Sequence, residues 1–385
     1  MKTTKTVVFF SGFYLPFLGG VERFTEKLTQ QLVQQGYRVI IVVSQHDDAL
    51  PTIEEEDSVT IYRLPSYSLF KRRYPILHRN QAFEDIMARL ENESIDAVIC
   101  NTRFQLTTAI GVRFAKRRGI EPMIIDHGSS HFTVGNKVLD FFGAIYEHLL
   151  TAYLKRYCRH FYAVSYRSLA WLEHFNIIGE GVIYNSVDDD LYERFSDKVL
   201  SPTLNDKLVV TFAGRLIREK GIELLLDAYS DFPETDDKVL MIAGDGPILE
   251  RLKATYKRSD IVFLGKLDFE QTMSLMSQTD IFVYPSMFPE GLPTSILEAG
   301  SLKSAVIATD RGGTKEVINS DSLGIIIEEN KESLQAALSD LFTDLEKREQ
   351  MKDNLHQRIR EQFVWSQTIK HLIATFDKIK AENKG

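Results

Sequence analysis

The 385-residue sequence has only two cysteines, Cys100 and Cys158. They form no CxxC or Cys/His spacing, so neither disulfides nor structural zinc is expected; two reduced, buried thiols are. Eleven prolines and 22 glycines against 44% hydrophobic and 26% charged residues leave no room for a fibrous or disordered class. No apolar run approaches the roughly 20 residues that cross a bilayer, and the longest, such as Val39–Val43, read as buried strands. The start, Met1-Lys2-Thr3-Thr4-Lys5, is basic, but the apolar segment Thr6–Phe10 is too short for a signal-peptide core. A cytoplasmic protein is expected. There is no repeat at a 20–50 residue period, which excludes solenoids. Basic excess is also missing: the net charge is −8, with 21 Lys/Arg against 22 Asp/Glu in residues 1–190 and 25 against 32 in the remainder. Nucleic acid is therefore not the expected partner, because its binding is driven by clustered cations.

What is present is a βαβ grammar written twice. The length favours two domains. Thr6–Phe10 is β-branched and aromatic, a loop with Gly19-Gly20 follows, and Val21–Gln35 has helical periodicity closed by Gly36. Continuous apolar runs such as Arg38–Val43 mark a parallel sheet covered on both faces. Further strands are expected at 59–64, 97–100, 122–126, 161–164 and 181–184. After the polar stretch 185–206, read as a linker containing Asp188-Asp189-Asp190, the grammar restarts with strands at 208–213, 238–243, 261–263, 281–284, 305–309 and 324–327. The expected architecture is α/β, with Rossmann-like domains at 1–187 and 188–365 and a C-terminal helix, about 366–385, returning to the first domain. Ligands of such sheets bind outside the carboxyl ends of the strands, which points to a cleft between the domains.

Two segments after strands carry the chemistry. In Phe288-Pro289-Glu290-Gly291-Leu292-Pro293-Thr294-Ser295-Ile296-Leu297-Glu298, Pro293 suits a first helical turn. That places Glu290 in the preceding loop and Glu298 inside the helix. The Gly291 and Leu292 amides would then face an anion along the helix dipole, and each carboxylate can accept from vicinal hydroxyls. The alternative is two solvated helix glutamates. In Ala213-Gly214-Arg215-Leu216-Ile217-Arg218-Glu219-Lys220-Gly221, Arg215 and Lys220 bracket a turn where two fixed cations can neutralise a diphosphate without a metal. The alternative is surface charges paired to Glu219 and Glu223.

These residues resemble the retaining, GT-B-fold glycosyltransferases of family 4, the glycosyl transferases of group 1. The resemblance runs through nearly the whole chain and is densest from Val209 to Val317. It is carried by two glutamates separated by seven residues, Glu290 and Glu298, and by the upstream Gly214-Arg215 and Lys220-Gly221. It implies that Glu298 holds the ribose hydroxyls, Glu290 the transferred sugar, and Arg215 with Lys220 the diphosphate of a nucleotide-sugar donor. UDP is favoured, and no metal or other cofactor is required. The turn Gly244-Asp245-Gly246-Pro247 and Leu267 fall where the family meets the nucleotide through its main chain. Gly19-Gly20-Val21-Glu22 matches the family's first loop, and His127 a position that contacts the transferred sugar; His131, His148 and His160 are read as structural. Asp188-Asp189-Asp190 is assigned to the hinge rather than to a metal-binding Asp-x-Asp.

The implied reaction is hexosyl transfer with retention, through an oxocarbenium-like state, onto a saccharide acceptor. Residues 58–83 and 148–172 contain no acid and mix cations with aromatics, which favours an anionic membrane surface; for the second stretch a buried apolar face edged by cations fits as well. A lipid-linked acceptor in bacterial surface-polysaccharide or glycolipid synthesis, at the inner face of the cytoplasmic membrane, is the leading expectation. The competing readings are a nucleotide-sugar epimerase of the same fold and a non-catalytic subunit of a glycosyltransferase complex.

Overall fold

The protein is described by a computed structural model, which covers residues 4–17, 19–69, 74–133, 135–204 and 206–383. The chain divides into two compact units, residues 1–184 with 368–385, and residues 185–367.

The first unit contains β1 (Thr6–Phe10), β2 (Arg38–Ser44), β3 (Ile53–Glu56), β4 (Val59–Leu64), β5 (Ser66–Leu69), β6 (Tyr74–Leu77), β7 (Ala97–Asn101), β8 (Pro122–Asp126), β9 (His160–Ala163) and β10 (Gly181–Val182). Eight of these form one sheet in the order β10-β9-β8-β7-β1-β2-β4-β3. It is parallel except for β3, which runs antiparallel beside β4. The residues Val39–Val43 are fully buried, as a strand covered on both faces requires, and each such side chain contributes about 1.5–3 kcal/mol relative to exposure. Helix Gly20–Gln34 follows β1 and ends at Gly36, whose φ of 82° supplies the left-handed turn.

β3 and the β5/β6 hairpin are not among the strands expected from sequence. β3 reads Ile-Glu-Glu-Glu and lies at the sheet edge, with both of its last two glutamates exposed. Acidic residues on an edge strand discourage further pairing and leave no apolar alternation to read. The basic and aromatic cluster Phe70, Lys71, Arg72 and Arg73 lies outside the described residues.

The second unit contains β11 (Leu208–Ala213), β12 (Lys238–Ala243), β13 (Ile261–Gly265), β14 (Ile281–Tyr284), β15 (Ala305–Thr309) and β16 (Ile325–Ile327). Their order is β13-β12-β11-β14-β15-β16, and every pairing is parallel. The chain moves outward from β11 to one edge, then returns and moves outward to the other. β11 and β14 therefore flank a topological switch point, where loops diverge and leave a crevice.

The segment 185–206 carries structure of its own. Val187 forms a parallel bridge with Val364, and the helix Leu191–Phe195 buries both of its terminal side chains. The charged C-terminal region is two helices, Leu345–Gln362 and Trp365–Glu382, broken at that bridge. The last one joins the first unit, where Lys380 pairs with Asp96 at 3.4 Å and Asn383 donates to the Gly119 carbonyl at 3.1 Å.

Candidate functional site

Parallel pairing brings the loops after β11, β12, β13, β14 and β15 to one carboxyl edge of the second sheet. Lys220 and Glu290, 70 residues apart, meet there as an ion pair. Their side chains are 21% and 16% exposed, so they stand at the boundary between core and solvent. Lys220 Nζ also donates to the Tyr284 hydroxyl at 3.2 Å and lies 5.5 and 5.6 Å from the Tyr284 and Phe288 rings. Burial, followed by the Glu290 charge, pushes the Tyr284 phenol well above its ordinary range, which keeps it a neutral hydroxyl. Ser286 Oγ donates to Glu290 Oε1 at 3.1 Å, while the Ser286 carbonyl accepts from Thr309 Oγ1. The Met287 amide donates to the Glu219 carbonyl at 2.8 Å, tying the two loops together.

The pairing expected for the alternative reading, Lys220 with Glu219 or Glu223, does not occur. Glu223 is taken by Arg218 at 3.3 Å and Arg251 at 2.8 Å. Arg215 stands exposed in the same loop. An ammonium has three N–H donors, and the two bonds of Lys220 leave the third for a ligand.

The glycine turn after β12 is packed against the Arg215 loop. Gly244 has φ 148°, and a Cβ there would lie 1.9 Å from the Gly214 carbonyl oxygen; one at Gly246 would lie 2.2 Å from that of Leu216. Glycine is the residue that permits this approach. The Leu216 amide donates to the Asp245 carbonyl at 2.9 Å, so the two loops hold each other in place.

Helix Thr294–Ser301 begins one residue later than expected, with Pro293 at the N-cap in an extended conformation rather than in the first turn. Proline has no N–H to lose at this boundary. Glu290 lies before the helix, and Glu298 lies within it, half-buried between the core residues Leu297 and Ala299. Leu292 is buried, and its carbonyl accepts from Asn185 Nδ2 at 2.9 Å. The Gly291 carbonyl accepts from the Gly313 amide at 2.7 Å. The Leu292 side chain is thus turned into the core and both carbonyls are engaged within the protein. Leu267, just beyond β13, packs against the cluster of Leu204, Val209 and Met241.

In the first unit Gly19 is the N-cap of helix Gly20–Gln34. Glu22, in the first turn, is buried; this pushes its carboxyl up to about 7, against the pull of the Gly19 and Glu22 amides. His127 follows β8, and its Nε2 lies 3.3 Å from Asn101 Oδ1. Asn101 Nδ2 donates to Thr25 Oγ1 at 2.8 Å, and Thr25 Oγ1 donates to the Val21 carbonyl at 2.8 Å. The chain has one consistent direction, in which His127 Nε2 carries the proton and Nδ1 keeps a lone pair. Burial pushes the His127 imidazole down to about 3, and its ring meets the Phe24 ring edge-on with centroids 4.8 Å apart.

Beneath His127, Arg103 joins two buried carboxylates, Asp126 at 3.2 Å and Glu147 at 2.7 Å. Neither Asn101 nor Arg103 stands out in the sequence, since each is a single polar residue at a strand end without a pattern. His160, read as structural, pairs with Glu180 at 2.8 Å. The triple aspartate is occupied locally: Asp188 pairs with Arg194 at 3.3 Å and Asp189 accepts from the Ser366 amide at 3.1 Å.

Residues 18–191 match the family described as Glycosyltransferase Family 4, and residues 195–358 that described as Glycosyl transferases group 1. An uncharacterised glycosyltransferase of Methanocaldococcus jannaschii is 26% identical, with 98% of this chain and 100% of that protein covered. The gpi3 subunit of the phosphatidylinositol N-acetylglucosaminyltransferase of Schizosaccharomyces pombe is 24% identical, covering 97% and 80%. Among solved structures, the sucrose-phosphate synthase of Thermosynechococcus elongatus superposes with a TM-score of 0.76 at 16% identity, covering 98% of this chain and 100% of that one. HepE of Anabaena, in complex with UDP, superposes with a TM-score of 0.74 at 16% identity, covering 97% and 100%. With two family matches that succeed one another along the chain, full-length relatives that are glycosyltransferases and this twofold α/β architecture, the protein belongs to the group 1, family 4 glycosyltransferases of the GT-B fold.

Proposed function

We propose that this enzyme transfers a hexosyl group from a UDP-sugar to a lipid-linked saccharide acceptor in bacterial surface-polysaccharide or glycolipid synthesis, with retention at the anomeric carbon. The observation that carries the reading is the Lys220–Glu290 pair at the switch point of the second sheet. As the bond from the anomeric carbon to the diphosphate breaks, its electron pair passes to the diphosphate oxygen. Arg215 and Lys220 stabilise that charge. The acceptor hydroxyl attacks from the same face, and its proton goes to the departing phosphate oxygen. Within the second unit Glu290 orients the sugar, Glu298 holds the ribose hydroxyls, and the loops at Gly214, Gly244, Gly246, Leu267 and Gly291-Leu292 offer backbone to the donor. This scheme uses no metal.

UDP is favoured because structural neighbours were solved with UDP and UDP-glucose. A lipid-bearing acceptor is favoured by relatives named as acting on phosphatidylinositol and by a feature of helix Lys137–Leu154. That helix exposes Val138, Phe141, Phe142, Ile145 and Leu149, with Phe141 and Leu149 64% and 68% exposed. Spaced three and four apart, they form one apolar stripe suited to a membrane interface. Exposed Lys137, Lys155, Arg156 and Arg159 flank it. Within residues 148–172, by contrast, Phe161 is buried and Tyr153, Tyr157 and Trp171 pack against the core, so that stretch supplies cations and the upstream helix the apolar face. Among the described residues no helix is long and apolar enough to cross a membrane.

A panel of UDP-, GDP- and dTDP-sugars, scored for nucleotide release with and without lipid-linked saccharides, tests the reading. Acceptor-dependent UDP release supports it, and the anomeric proton coupling of the product reports retention. Relatives named as subunits of a larger transferase favour a second reading, in which the isolated chain is silent; release restored only by added partner proteins would select it.

A further inference from the structure

We propose that His131, His148 and His174 form a site for a zinc-class divalent transition-metal ion, separate from the donor residues. No two of them share a metal-binding sequence spacing, and the cysteines give no reason to expect zinc. The fold assembles them from three elements: His131 from the loop after β8, His148 from helix Lys137–Leu154, and His174 from the short 3-10 turn Leu172–Phe175. One nitrogen of each lies within 4.8 Å of the others. Nitrogens bound to one tetrahedral ion at about 2.0–2.1 Å are separated by about 3.3 Å, so small side-chain adjustments complete the set. His131 Nε2 and His174 Nε2 are already 3.1 Å apart. Two imidazole lone pairs at that distance repel unless a proton or a cation lies between them, and a third imidazole within reach suits a cation.

The surroundings are those of a metal-ligand shell. His131 Nδ1 faces Glu147 Oε2 at 3.4 Å. The two atoms form no hydrogen bond as they stand; a small ring rotation that lets Nδ1 donate to Glu147 leaves Nε2 as the ligand atom, the arrangement by which carboxylates orient metal-bound histidines. Glu147 is itself fixed by Arg103 at 2.7 Å and by the Phe132 amide at 2.7 Å. The Trp171 ring stacks on His174 at 4.6 Å and 9°, which limits that imidazole to one plane. Neutral imidazole with an open fourth position suits Zn²⁺, Co²⁺ or Ni²⁺. His148 and His174 are exposed, so an ion can enter.

An ion here pins the loop that follows β8. His131 is four residues beyond His127, at most about 14 Å along an extended chain. The same buried network runs from Glu147 through Arg103 to Asp126, the neighbour of His127. The ion is therefore structural: it orders the loop and takes no part in sugar transfer.

The test uses the full chain after chelator treatment, titrated with Zn²⁺ against a chromophoric chelator and separately with Co²⁺. One Zn²⁺ per chain and a visible cobalt absorption band of four-coordinate intensity are expected. His148→Ala and His174→Ala, both at exposed positions, each weaken Zn²⁺ binding at least about 100-fold, and His371→Ala, at an exposed position of helix Trp365–Glu382 outside the cluster, leaves it unchanged. Zn²⁺ slows hydrogen exchange of residues 127–133 in the parent and not in the two variants. Absence of stoichiometric binding, binding retained in both variants, or unchanged exchange in the loop overturns the proposal.

Discussion

Replacing Lys220 with Met separates a catalytic ion pair from a merely structural one. The substitution keeps an unbranched apolar stem, one atom shorter, and removes the charge, leaving Glu290 beside Tyr284 and Ser286 without the Lys220 ammonium. Breaking a fully buried pair costs about 3–5 kcal/mol and an exposed one at most about 1. With the two side chains 21% and 16% exposed, the expected loss of stability is about 2 kcal/mol. That lowers the melting temperature by about 4–8 °C for a domain of this size. Removing a cation that stabilises the departing diphosphate costs about 3–4 kcal/mol in the transition state, or a factor of 10²–10³ in kcat/KM. The two effects part in the double variant Lys220→Met/Glu290→Gln. Removing both charges restores most of the melting temperature, because the Glu290 carboxylate no longer stands without its cation, and leaves the rate low. The assay is UDP release under initial-rate conditions beside thermal unfolding of the same samples. A Lys220→Met enzyme within threefold of the parent in kcat/KM, with its melting temperature lowered, would show that the pair holds the loop and nothing more.

Other outcomes follow from the same geometry. Arg215→Ala, at an exposed position with little structural role, is expected to lose about a hundredfold or more in transfer rate with a melting temperature within about 1–2 °C of the parent; steady-state kinetics and calorimetry check both halves. Gly244→Ala forces a Cβ to within 1.9 Å of the Gly214 carbonyl oxygen, and calorimetric titration with UDP should register weakened affinity. His127 takes up its proton near pH 6.5 in the unfolded chain and only near 3 in the fold. The unfolded state therefore binds more protons in that window, and this residue removes stability as pH falls from about 6.5 toward 3, with no effect above it. A His127→Gln variant should show a shallower decline of melting temperature across that window. Phe141→Asp/Leu149→Asp places two charges on the apolar stripe and should abolish salt-sensitive sedimentation with anionic vesicles; binding equal to the parent would remove that helix from the membrane reading.

Much of the fold is legible in the sequence because a parallel sheet writes itself in one dimension. Runs such as Val39–Val43 and Ile281–Tyr284 are apolar without alternation, and each is followed by a loop and a helical period. The elements that escape such reading are the acidic edge strand β3, whose last two glutamates face solvent, and the short hairpin β5/β6. The residues Arg215, Lys220 and Glu290 likewise stand out, since each lies in a Gly- or Pro-marked loop after a strand, and Glu298 because it falls in the helix that follows. Their local surroundings are less so: Pro293 caps the helix instead of entering it, and Leu292 is turned into the core.

Strand content, the position of each loop relative to its strand, and the family itself were contained in the amino-acid order, because burial, turn chemistry and helix punctuation act between near neighbours. Which loops become neighbours was not. Lys220 meets Glu290 because the chain reverses direction across the sheet and lays β14 beside β11. His131, His148 and His174 gather because a loop, a long helix and a short turn pack around Arg103 and Glu147. Contacts between residues so far apart in the chain depend on strand order and packing, which are settled by the burial of the whole core and leave no periodic trace in the sequence.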